Sequence, residues 1–488
     1  MGVFFICGYY ANFNVPKQAH IVKYIYLILI IFGFQAGFAQ GITLRKGVVI
    51  DTLSINDSIS ETYSIYLPTT FNTQKRWPVI FVFDSNGRGN RAAQLFRQAA
   101  ENQGYIIAAS NNIKEEESLL NNVKIATRLM NTVFNYFPID NNMVYTSGFA
   151  EGARVASVMP TVFPVVEGVL AIGDSWVNVD YINKNAKFSF IGMAGYKDAK
   201  YYSVMETARF LERAKLQSEF YPYDGGKEWP SSEMLNNAIG NITLNAMAKG
   251  YRPKDLMLIE SLFAAELETA ESLRRGMQFF KAHELLTLME DKYAIAGKSS
   301  LTKERLKDLG KERVYKNQRR DYYNAAAKEA DLMERYFYFL NEDITSANFE
   351  NLGWWSQQIK ELQDMQASGN IAEAEMAFRL EGVLQELSKN SFRELQDANA
   401  AIDPLIFTAI LQTIFEKENP EGYKHIISLS SQDGDYYTAL LYLEDLLKTG
   451  YKDMESLYEI PGTLDLKMSP EYNSLVKQYL GNSKYYNN

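Results

Sequence analysis

Short apolar runs alternate with amphipathic stretches from about residue 61 to residue 250, and then the runs stop. Val79–Phe83, Tyr105–Ala109, Met143–Ser147, Val166–Ile172 and Phe188–Met193 are rich in Val, Ile and Phe and bounded by turn residues, the pattern of buried strands. Helix-like segments lie between them at Arg91–Gln103, Leu119–Phe137, Ala153–Val162 and Val204–Ala214. Strand and helix taking turns predicts a doubly wound, mostly parallel sheet, because a parallel pair needs a crossover. Glu61–Leu67 reads as an antiparallel edge strand ahead of these units.

Beyond residue 250 the pattern is helical throughout. Leu256–Thr287 carries apolar residues at helical spacing, with Gly276 and Ala282 small enough for close helix contact. Lys303–Leu340 predicts one long helix or two joined at Gly310. Trp354–Gln366 with Ile371–Leu387, and Ile406–Glu416 with Tyr423–Ser428, read as pairs, followed by Tyr436–Lys448 with Gly450 as a left-handed cap. The expected fold class is therefore α/β followed by all-α, with an α/β part at 40–250 and a helical part at 251–488. Asp435-Tyr436-Tyr437-Thr438-Ala439-Leu440 and the run Ser469-Pro470-Glu471-Tyr472 make the tail similar to the end of a tetratricopeptide array. No strict 34-residue period runs through it, and a plain helical bundle fits the same residues.

The first 39 residues read as a signal peptide. Lys17, His20 and Lys23 precede the apolar run Tyr24–Phe34, and Gly37-Phe38-Ala39 offers small residues for cleavage before Gln40. That run is short for a membrane span, which needs about 20 residues; an uncleaved anchor is the alternative. The expected location is outside the cytoplasm, in the periplasm or at the cell envelope. Cys7 is the only cysteine and falls in this leader, so no disulfide or Cys-based metal site is expected in the mature chain. A net charge of −9 with dispersed Lys and Arg argues against a nucleic-acid partner.

Chemistry concentrates in Gly148-Phe149-Ala150-Glu151-Gly152, which follows a strand and opens a helix. It resembles the Gly-x-Ser-x-Gly nucleophile elbow of the α/β-hydrolases. Both glycines are present, but Ala150 holds the centre, and a methyl group cannot attack a carbonyl. Two later segments keep the family's order of nucleophile, acid, base. Asp198, in Gly195-Tyr196-Lys197-Asp198, falls where the acid belongs. Gly225-Gly226-Lys227-Glu228-Trp229-Pro230 resembles the Gly-Gly-His-x-Trp-Pro segment of the polyhydroxybutyrate depolymerase and feruloyl esterase branch, with Lys227 at the His position. Asp84 replaces the His that the resemblance implies for the oxyanion loop, in Asp84-Ser85-Asn86-Gly87. The three histidines are His20, His283 and His425, so none lies in the hydrolase-like part, and a Ser-His-Asp mechanism needs an imidazole.

The degenerate triad positions are thus Ala150, Asp198 and Lys227. The expected function is an exported, catalytically inactive binding or scaffold protein whose helical half meets a protein or peptide partner. The alternative is an esterase with relocated chemistry, most plainly a Ser85–Lys227 dyad; Ser147, on the strand, should point into sheet packing. Lys227 is otherwise expected to pair with Asp198. The old cleft, with Asp84, Ser85, Trp176 and Trp229 around it and the two tryptophans as an aromatic wall, could hold a small ester or glycan. Trp354-Trp355 reads as a helix-packing pair. No cofactor is expected, because the Gly-rich stretch lacks a phosphate-binding Lys-Ser or Lys-Thr. No metal is expected either, because His283 and His425 stand alone.

Overall fold

The computed structural model describes residues 44–486 apart from 57, 177–181 and 183–186. The leader, Cys7 and His20 lie outside them. The chain divides into Met1–Arg45 and a unit Lys46–Asn488 that contains every element of the fold.

Among the described residues eight strands form one sheet: β1 (Val49–Asn56), β2 (Ile59–Tyr66), β3 (Trp77–Asp84), β4 (Ile106–Ser110), β5 (Ile139–Phe149), β6 (Val166–Ile172), β7 (Ser189–Gly195) and β8 (Ser218–Tyr223). Their spatial order is β1-β2-β4-β3-β5-β6-β7-β8. β1, β2 and β4 pair antiparallel, and all pairings from β4 through β3 to β8 are parallel. Every residue of β3, β4 and β7 is buried, as a sheet covered on both faces requires. The covering helices of this half are α1 (Gly89–Gln103), α2 (Leu119–Tyr136), α3 (Glu151–Val162), α4 (Tyr201–Arg213) and α5 (Ser232–Ala248). The predicted antiparallel strand at Glu61–Leu67 is β2, but it is not the edge. β1, with every second residue of its C-terminal half exposed, takes that place.

The rest of the chain is helical: α6 (Leu256–Arg275), α7 (Phe279–Lys292), α8 (Ser299–Leu309), α9 (Arg313–Ser346), α10 (Leu352–Gln366), α11 (Ile371–Asp397), α12 (Ile402–Phe415), α13 (Pro420–Gln432) and α14 (Tyr436–Lys448). Three shorter helices follow, ending with Pro470–Leu480. Lys303–Leu340 resolves into two helices that meet at Gly310. Gly276 ends a helix instead of admitting a neighbour, since a Cβ there would touch only the carbonyls of its own last turn. Trp355 is fully buried, donates to Asp343 Oδ2 at 2.8 Å and packs edge-on against Trp354, as a packing pair should. Among the described residues no helix is long and apolar enough to cross a membrane.

The helical half seats on the loop after β7. Arg379 on α11 is 4 % exposed, yet its guanidinium forks onto Glu329 of α9 and reaches the carbonyl of Tyr196. Gly382 on the same helix leaves room for Ala199, whose Cβ would lie 3.2 Å from an added methyl. Lys281 on α7 is buried between Asp224 and Glu375 and lies 4.3 Å from the centre of the Tyr196 ring. Tyr196 donates its hydroxyl to Glu284 at 2.6 Å. A buried guanidinium is tolerated only when paired, so deleting one member of such a set strands the others without water.

Burial, with Glu375 adding to it, pushes the Glu284 carboxyl up to about 7 from an ordinary value of 4.5. The folded chain therefore keeps this proton where the unfolded chain has released it, and Glu284's contribution to stability falls as pH rises through that window. Glu284→Gln should remove the fall. Relative to wild type, its thermal midpoint should be higher near pH 8 than near pH 4.5. Parallel melting curves of the two proteins would fail this account if they stayed equally spaced across the range.

Candidate functional site

Ala150 caps α3 with φ 51° and ψ −121°, a conformation that L-residues rarely adopt. The strain is imposed by the backbone on either side. A Cβ on Gly148 would lie 2.1 Å from Gly152 O, and a Cβ on Gly152 would lie 2.0 Å from Phe83 O. Only glycine permits α3 to start so close to β3 and β5. The turn from β5 into α3 is thus a nucleophile elbow in its geometry, with a methyl group at its apex.

Asp198 follows β7 and is 1 % exposed. Its Oδ1 accepts from the Lys200 N–H at 2.9 Å, and its Oδ2 has no hydrogen-bond partner among the described residues. Burial pushes this carboxyl up to about 6, opposed by the Lys200 N–H and by Lys227. Lys227 stands on the loop after β8, which is pressed against the Asp198 loop: the Lys197 N–H donates to Gly225 O at 2.9 Å. Ala150, Asp198 and Lys227 therefore lie around one cleft. Ala150 and Lys227 line one cleft, and Asp198 Oδ2 lies 3.3 Å from where a Cβ on Gly173, another lining residue, would sit.

The cleft is about 370 Å³ and almost wholly charged. Arg154 bonds Asp174 at 2.8 Å and Glu151 at 3.2 Å on its floor. Glu386, from α11, bonds Lys200 at 2.8 Å and Lys227 at 3.5 Å across its mouth. Burial raises the carboxyls of Asp174 and Glu151, while Glu386 is held below its usual range because Lys200 and Lys227 outweigh its burial. None of the described side chains lining the cleft is a hydroxyl, thiol or imidazole.

The other predicted residues divide. The expected Lys227–Asp198 ion pair is absent: the ammonium pairs with Glu386 at 3.5 Å and Glu115 at 4.0 Å, because α11 brings a carboxylate that no local pattern announces. Lys227 is 48 % exposed, so the desolvation that a Ser85–Lys227 dyad requires is missing. Ser85 is buried next to Asn86, and Ser147 donates into the sheet to Leu170 O at 2.9 Å. Asp84 is buried and its carboxylate is fully engaged. It accepts from Arg88 Nε at 3.0 Å, the Asn86 N–H at 2.9 Å and Trp229 Nε1 at 2.8 Å, and these bonds outweigh burial to hold its carboxyl low.

Trp229 lies against Phe149 and Phe96, beside the elbow. Trp176 does not join it. It packs on Phe188 and Phe190 in the core on the other face of the sheet, so no tryptophan wall forms. His283 stacks on Tyr315 and His425 on Phe392 within helical packing, and no group of metal-ligating side chains occurs among the described residues. The sequence reading missed Glu386, Lys200 and Arg154, and for the first no signal exists before the helical half is placed.

Sheet order and elbow together define an α/β-hydrolase-like fold. No family model matches the chain, and no curated protein is significantly similar to it. Among solved structures, an esterase from Pyrobaculum calidifontis shares 11 % identity over 48 % of this chain and 96 % of its own, with a TM-score of 0.34. Esterase 2 of Thermogutta terrifontis shares 13 % over 42 % and 96 %, TM-score 0.34. The S-formylglutathione hydrolase of Staphylococcus aureus shares 11 % over 42 % and 100 %, TM-score 0.33. These overlaps are partial, and the chemistry of the cleft follows from its own side chains.

A strained apex without a nucleophile has a measurable signature. Ala150→Gly should raise stability by about 1 kcal/mol, because glycine adopts this backbone freely. Gly152→Ala should abolish folding or cost at least ~3 kcal/mol, because Phe83 O cannot move aside within the sheet. Denaturant titration separates the two; a destabilised Ala150→Gly would show that the apex carries no strain.

Proposed function

We propose that this chain is an exported, non-catalytic relative of the esterases, in which the α/β half is a scaffold and the helical half meets a protein or peptide partner. One observation carries the loss of catalysis: a methyl group stands at the elbow apex, facing a buried acid that has no imidazole to orient. Acyl transfer needs a nucleophile and a base within hydrogen-bond reach of each other, and among the described residues lining the cleft there is no hydroxyl, thiol or imidazole to form that pair. Its carboxylates and ammonium groups neutralise one another. Such pairs suit a structural junction better than a pocket for a neutral ester.

Support for binding through the helical half comes from its surface. Tyr323 and Tyr338 on α9 and Tyr437 on α14 are 65 %, 62 % and 80 % exposed, and tyrosine is enriched where partners dock. Helices α10 to α14 pack each on the next, and successive packing of this kind supports reading them as an array that binds peptides. Export rests on the leader read in the sequence.

Hydrolysis of p-nitrophenyl acetate and butyrate by purified protein tests the catalytic half of this reading. Wild type and Ala150→Ser should both stay at the buffer rate, since the added hydroxyl still lacks a base. Turnover by wild type that is lost in Lys227→Ala would establish the relocated esterase instead.

A further inference from the structure

A second cavity, of about 280 Å³, lies apart from the charged cleft, between the β8 edge of the sheet and helices α5, α6 and α7. Its walls thus come from both halves of the unit. Met234, Leu273, Leu285 and Leu288 supply an aliphatic side, and Tyr196, Tyr221 and Tyr223 supply three rings.

The polar side chains of the wall are already engaged. Tyr196 donates to Glu284, Tyr221 to Glu219 at 3.1 Å and Tyr223 to the carbonyl of Glu228. Thr269 donates to Ala265 O and Glu233, and Ser231 caps α5 by accepting from the Met234 N–H. The tyrosines therefore offer their rings to the cavity and keep their hydroxyls elsewhere. A water molecule is held in a protein by about two to four polar partners, and this wall has almost none to spare. Water inside is easily given up, which favours an apolar occupant.

Charge narrows the choice further. Among the described residues Lys281 is the one cation on the wall, and it lies between Asp224 and Glu375. A cationic ligand would meet Lys281, and an anionic one would meet Asp224. Asp224 is exposed, which places the mouth of the cavity at the loop after β8. The volume exceeds the ~150 Å³ that holds a single benzene ring and falls just short of the ~300 Å³ at which drug-sized pockets begin.

We propose that this cavity binds a small neutral aromatic molecule of one or two rings, clasped between the sheet edge and the helical half. The ligand touches α5 and β8 on one side and α6 and α7 on the other, so its binding ties the halves together and raises the unfolding temperature by mass action. This site stands independently of the inactive-elbow reading, since no residue of the charged cleft lines it.

Indole is the probe, with indole-3-carboxylate as the charged control, titrated into the full-length protein by calorimetry and followed by ¹⁹F line broadening of 5-fluoroindole. Indole should bind and raise the melting temperature, and the carboxylate should bind at least about tenfold more weakly. Leu273→Trp, from α6, and Met234→Phe, from α5, fill the cavity from opposite sides; each folded variant should lose indole about tenfold or more. Far-ultraviolet circular dichroism identifies which variants fold, and either one suffices. Absence of broadening with wild type, equal binding of the carboxylate, or undiminished affinity in a folded variant each overturns the proposal.

Discussion

Nothing larger than a hydrogen fits between the first turn of α3 and the end of β3. Gly152 faces Phe83 O at a distance that no Cβ tolerates, and Gly148 faces Gly152 in the same way. That double contact fixes where β5 turns, holds residue 150 in its unfavourable conformation and lays α3 along the sheet. The elbow is therefore a packing constraint before it is a catalytic one. It persists with alanine at the apex because the sheet cannot close without it.

The loop after β7 has two uses. Asp198 at its end faces the elbow, and Tyr196 at its start holds the helical half through Arg379, Glu284 and Lys281. Glu386, one turn further along α11 from Gly382, then spans the mouth of the cleft to Lys200 and Lys227. Groups of the cleft are thereby bonded to a helix of the same chain. Paired charges of this kind add little net stability, yet they are costly to break singly, and so they fix the register of one half on the other.

Much of the fold was legible in the residues. Five central strands were marked by apolar runs, and Val166–Ile172 matches β6 end to end. The edge strands escaped because they lack a continuous buried apolar run: half of β1 is exposed, and β8 reads Ser-Glu-Phe-Tyr-Pro-Tyr, with a proline that argues against a central strand. α5 escaped for the opposite reason, being buried nearly all round, so that it shows no amphipathic period. Local order also located Ala150, Asp198 and Lys227 in one place. It could not reveal Lys227's partner, because Glu386 lies 159 residues away in a different fold layer. Trp176 was misplaced for a related reason. Its position just beyond β6 suits either face of the sheet, and only the packing of Phe188 and Phe190 decides between them.

Tyr196 and Arg379 are 183 residues apart in the chain. At the ~5–20 residues per second of protein synthesis, α11 leaves the ribosome on the order of ten to forty seconds after the loop it must clasp. Through that interval the nascent chain presents Tyr196, Tyr201 and Tyr202 with no guanidinium above them. The order of translation thus leaves a tyrosine-rich flank bare for longer than small domains take to fold.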